Sequence, residues 1–132
     1  MHTLKRNVTE IIIHCSDSDN AAHDNVKTLD EWHRARGFSS VGYHFIITKK
    51  GVEQGRPVDV VGAHCKDHND DTIGICVTGR NAFTVKQMDM LSNLVAILKM
   101  VYPTIKSVKP HKFYNSNKTC PNFKHELFGD YV

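Results

Sequence analysis

The chain has 132 residues, 40% of them apolar and 23% charged, which is the balance of one globular domain rather than of a disordered or fibrous chain. Its formal charge is only +3, with Lys and Arg scattered along the sequence, so no basic stripe exists to track a phosphate backbone and nucleic acid is excluded as the expected target. The N-terminal "MHTLKRNVTE" lacks an apolar signal core and no apolar run reaches the roughly 18 to 20 residues of a membrane span, so the expectation is a chain made in the cytosol, without membrane insertion.

"EIIIHCS" is a short β-branched run that predicts a buried strand carrying His14 at its C-terminal end. Thr28-x-x-Glu31 has the form of a capping box and predicts a helix opening at Thr28, with Trp32 in its first turn and Gly37 as its left-handed stop. The pair Trp32-His33 is expected to pack that helix on a sheet. "VGYHFIITKKGVEQGRP" predicts a hairpin turning at Lys49, Lys50 and Gly51, and "DDTIGICVTGR" a strand from about Ile73 to Thr78. Thr84-x-x-Gln87 is a second capping box, followed by Met88, Leu91, Leu94, Val95, Leu98 and Val101 at helical spacing until Pro103. "KSVKP" predicts a last strand, and Pro121 marks the first turn of a final helix with Cys120 at its N-cap. Strands and helices mixed in this order predict a single domain over residues 1–132 built on a sheet, of the α/β or α+β kind.

Among nine histidines and four cysteines, His14, His111 and Cys120 stand out, because each falls at a strand end or in a loop entering a helix, where side chains from separate segments of a sheet protein converge. Two imidazoles and a thiolate form a three-ligand Zn2+ set with the fourth tetrahedral position open for water. A helix N-terminus would favour the thiolate form of Cys120. Each residue also has a plainer role available: a hydrogen-bonded strand-end histidine, an exposed loop histidine and a small buried cysteine. Cys15, Cys65 and Cys76 are expected to be reduced and packed, since cytosolic thiols rarely form disulfides. Strand alternation assigns His44 a structural place on the side opposite Tyr43, together with Ile46. His2, His23, His68 and His125 are read as surface residues.

"IIIHCS", "WHRARGFSSVGYHFII", "GRPVDVVGAHCKDHNDDTIGICVTG" and "PHKFYNSNKTCPNF" follow one another in an order that resembles the phage-lysozyme-type N-acetylmuramoyl-L-alanine amidases, which are similar to peptidoglycan recognition proteins. The resemblance runs from about Ile11 to Phe123 and implies an α/β fold, a central mixed β-sheet flanked by α-helices. It implies a zinc enzyme of the endolysin kind, a monomer that cuts the amide between N-acetylmuramic acid and L-alanine in bacterial peptidoglycan. It places the metal ligands on His14, His111 and Cys120, a catalytic tyrosine on Tyr43 and a catalytic lysine on Lys118. His64 matches a position beside the substrate groove and, with Asn69, is expected to hydrogen-bond the muramoyl or peptide portion. "KFYNSNKT" is longer than the corresponding loop of many relatives, which bears on where Lys118 falls, and "NAFT" is a short link into the second long helix. Release to the wall, in a phage setting through a holin-type pore, completes the expectation.

Three rivals share parts of this pattern. A non-catalytic peptidoglycan-binding module of the same fold would lack the metal cysteine, which Cys120 supplies here. A thiol enzyme would pair Cys120 with His111 or His14. A structural zinc protein would need a fourth protein ligand, and the motifs offer none.

Overall fold

The computed structural model describes residues 5–115, 117 and 118. Cys120 and the final helix expected after Pro121 lie outside them. Five strands form one sheet in the order β3-β2-β4-β1-β5, built from β1 (Glu10–Cys15), β2 (Phe45–Ile47), β3 (Val52–Gln54), β4 (Thr72–Val77) and β5 (Ser107–Pro110). β1 runs parallel to β4 and β5, and β2 parallel to β4, while β2 and β3 form the antiparallel hairpin. Thr48 closes that hairpin, its N–H donating to Gly51 O at 2.9 Å. The α/β class and the mixed sheet agree with the sequence reading.

Two helices cover the sheet. α2 (Val85–Val101) begins at the expected capping box, where Thr84 accepts from the Gln87 N–H and the Gln87 side chain accepts from the Thr84 N–H, a cap of about 1 kcal/mol. Gln87 does more than cap. Fully buried, it donates from Nε2 to Ile47 O and Thr78 O, so the helix start is bonded to the ends of β2 and β4. Leu91, Val95 and Leu98 then pack with Ile11, Ile13, Ile73, Ile75 and Val77 into the larger core. Val101, expected in that stripe, is the last residue of the helix and is 37% exposed.

α1 (Val26–Ala35) starts three residues earlier than the sequence predicts, since Asn25 is its N-cap and accepts from the Thr28 N–H at 2.8 Å. Thr28 is therefore inside the first turn, and the Thr28-x-x-Glu31 pattern is not a cap. Leu29, Val41, Ile46 and Cys76 form the smaller core under this helix, with Val26 and Tyr43 beside them. His33 is packed as expected, its Nδ1 accepting from the Gly42 N–H at 2.7 Å. Trp32 does not share that packing: it is 37% exposed and meets the His23 ring edge-on. Gly37 ends the helix region at φ +95°, a conformation that costs glycine little. No helix among the described residues is long and apolar enough to cross a membrane.

Candidate active site

Strand register determines where the histidines meet. Ile13 of β1 pairs with Pro110 of β5, and one residue further along each parallel strand come His14 and His111. Two parallel strands that end side by side deliver both rings to the same corner, the position where α/β sheets build their sites. The ring centroids lie 4.4 Å apart. His111 opens α3 (His111–Tyr114), and that short helix is anchored from behind. Tyr114 donates its hydroxyl to Glu10 Oε1 at 2.5 Å while Ser107 donates to Glu10 Oε2 at 2.6 Å, and the Tyr114 ring stacks on His68 at 3.9 Å. Burial and the Glu10 carboxylate push the Tyr114 phenol up, so it remains a donor.

The second face of the sheet supplies the surroundings. Within β1, Ile11 and Ile13 point into the α2 core, so His14 projects to the other side by the period-2 rule. There it shares a register row with Cys76, which also faces Ile46. His14 is 1% exposed, its ring 5.1 Å from Tyr43 and its Nε2 2.8 Å from His64 Nδ1. Burial, reinforced by the rings of His64, His111 and His33, holds its pKa well below the ordinary imidazole range. The same direction holds for His111, through burial and the nearby Lys118 ammonium. Both rings are therefore neutral at pH 7 and keep a nitrogen lone pair, the form in which histidine binds a metal. Burial pushes the thiols of Cys65 and Cys76 up instead, so neither is disposed to act as a thiolate ligand. Among the described residues no three His, Cys, Asp or Glu side chains form a metal-holding group. The donor set fits zinc as two imidazoles in need of a thiolate, which Cys120, outside the described residues, is of the right type to supply.

The other expected site residues fall as follows. Lys118 is exposed, its N–H donates to Asn115 O at 2.9 Å, and its charge acts on His111. Tyr43 is half-buried between His14 and His33, with its side chain hydrogen-bonded to Cys76. His64 is 8% exposed and both ring nitrogens are engaged, Nδ1 with His14 and Nε2 with Thr72 Oγ1. Asn69 Oδ1 accepts from the N–H groups of His64 and Cys65 at 2.9 and 3.0 Å. Both ring nitrogens of His64 and the side-chain oxygen of Asn69 are thus engaged inside the protein. His44 is structural as expected: it is fully buried, accepts from the Gly74 N–H at Nδ1 and donates from Nε2 to Val60 O. The alternation argument behind that reading does not hold, because Tyr43 and His44 precede β2, and Ile46 packs in the same cluster as Tyr43.

Residues 4–123 match the family described as N-acetylmuramoyl-L-alanine amidase. The chain belongs to the N-acetylmuramoyl-L-alanine amidase family. It is an amide hydrolase of bacterial peptidoglycan. It is 34% identical to the endolysin of Klebsiella phage KP32 over 92% of this chain and 85% of that one. The solved amidase LysC from Clostridium intestinale superposes with a TM-score of 0.84 at 32% identity, covering 93% of this chain and 83% of the other. Drosophila PGRP-LB superposes at 0.75 with 26% identity, over 96% and 81%. Within the amidase, three residues near the site escaped the sequence reading. Glu10 and Tyr114 hold the His111 helix, and Thr72 holds His64. None of the three carries a local signal; the glycine beside them, Gly74, does, since glycine inside a strand marks a close approach.

Proposed function

We propose that this amidase is a zinc-dependent lysin of the phage type, with His14, His111 and Cys120 as the metal ligands. The observation that carries the reading is the meeting of the His14 and His111 rings, 4.4 Å apart, at adjacent parallel strand ends in a chain of this family. A zinc ion held there would supply Lewis acidity toward the amide carbonyl and would make a water more acidic, towards neutral pH. The protein's own groups do the rest. Lys118, exposed beside His111, presents its ammonium to the carbonyl oxygen on which negative charge develops. Tyr43, with its ring against His14, orients the attacking water or passes its proton. The two low-pKa imidazoles remain uncharged, so they do not repel a cation.

The substrate is the muramoyl-peptide of the wall and the chain acts as a monomer, reaching the wall after release from the cell in which it is made. The test is digestion of purified sacculi by wild type and by Cys120→Ala, with mass analysis of the products. Free stem peptides with intact glycan, lost in the variant and on chelation and restored by zinc, are expected. Cut glycan or cut cross-links, or cleavage indifferent to chelator, would refute the reading and, in the last case, favour thiol chemistry at Cys120.

A further inference from the structure

Behind His14 lies a buried chain of three side chains, His14, His64 and Thr72, at 1%, 8% and 2% exposure. Its seat is prepared by the backbone. A Cβ on Gly74 would come within 2.5 Å of His64 Cγ, and one on Gly62 within 2.7 Å of His64 Cδ2. Only glycine leaves room for the imidazole to lie against β4 at that point. Asn69, accepting from two successive N–H groups at His64 and Cys65, fixes where the ring enters.

The direction of each hydrogen bond follows from its far end. Thr72 Oγ1 is 2.6 Å from His68 O, and a carbonyl can only accept, so the hydroxyl hydrogen is committed there. Towards His64 Nε2, at 3.1 Å, Thr72 then offers a lone pair, and Nε2 must carry the hydrogen. In a neutral imidazole the other nitrogen is the acceptor. The 2.8 Å contact is therefore His14 Nε2–H donating to His64 Nδ1, which leaves the His14 lone pair on Nδ1.

We infer that His64, oriented by Thr72, is the positioning residue that sets the tautomer and ring angle of His14 and makes Nδ1 the atom offered to zinc. Metal-binding imidazoles depend on such a partner at the second nitrogen, and its loss costs typically about 10- to 100-fold in affinity. The inference rests on the zinc reading above and changes the part expected of His64 from substrate contact to support of a ligand.

Two measurements on the full chain test it. Long-range 1H–15N spectra of the metal-free protein at neutral pH are expected to show His14 protonated on Nε2 in wild type and in Thr72→Ser, and a mixture of tautomers in Thr72→Val. Zinc titration is expected to give about 10- to 100-fold weaker binding for Thr72→Val and His64→Ala, with Thr72→Ser near wild type. A wild-type His14 protonated on Nδ1 would overturn the inference. So would zinc affinity unchanged in folded Thr72→Val, while leaving the zinc site itself standing. Wild type that takes up no zinc would remove the underlying reading and this inference with it.

Discussion

The two faces of the sheet divide the work of the molecule. Towards α2, β1 and β4 present Ile11, Ile13, Ile73, Ile75 and Val77, which close on Leu91, Val95 and Leu98 in an apolar cluster. Towards α1 the same two strands present His14, Gly74 and Cys76 along one register, with His64 seated over the glycine. Alternate residues of β1 thus serve opposite ends. An apolar face gains stability from area removed from water and tolerates no hole. A face lined with neutral histidines needs hydrogen-bond partners for its buried nitrogens, and His64 has one at each ring nitrogen. The comparison teaches that stability and chemistry in this fold are separable by substitution, even though one strand carries both.

The largest expected separation comes from Leu91→Ala. Deleting a fully buried leucine from the apolar face should lower unfolding free energy by about 2 to 5 kcal/mol, read from denaturant titration, with turnover per folded molecule unchanged. Acid should strike the other face. Burial lowers the His44 pKa to about 4, whereas in the unfolded chain it is near 6.5. The unfolded state therefore binds the proton first. The stability due to neutral His44 is complete above about pH 6.5 and is lost as pH falls towards 4, in all roughly 3 kcal/mol. His14, His33 and His64 shift in the same direction, so the denaturation midpoint at pH 5 should lie clearly below that at pH 7. A midpoint flat over that range would mean that these rings are charged in the folded state.

How much of this could be read beforehand differs between the faces. The apolar side was legible because it is periodic: "EIIIHC" reads as a strand, and Thr84 to Leu98 reads as a capped amphipathic helix. α1 begins three residues before the Thr28 signal because Asn25 and Thr28 both suit an N-cap, and it is Asn25 that accepts from the Thr28 N–H. The polar side was legible in the placing of His14 and His111 at strand ends, but not in its supports. Glu10, Thr72 and Tyr114 act across 104, 8 and 104 residues of chain on Tyr114, His64 and Glu10, and no local pattern encodes such pairings. The orientation of His64 follows from the seat at Gly74 and Gly62, which only the fold reveals.

Smaller effects sharpen the division further. Lys118→Ala should lower kcat on sacculi by about 10²-fold, the usual loss for one donor to a developing oxyanion, and leave the melting temperature in place because the side chain is exposed. A matching fall in melting temperature would instead assign Lys118 to the fold. Tyr114→Phe removes a hydrogen bond to Glu10 at the half-buried base of the His111 helix. A loss of about 1 kcal/mol in stability is expected from thermal unfolding, and no change would mean that the phenol–carboxylate bond contributes nothing to holding α3.

The most direct test of the account is the zinc content of the purified, folded protein, compared between wild type and His14→Ala. One zinc per chain in wild type, and its loss from the variant, is the result predicted by a metal site built on the polar face. A wild type without zinc, or a variant that keeps the full complement, would contradict it.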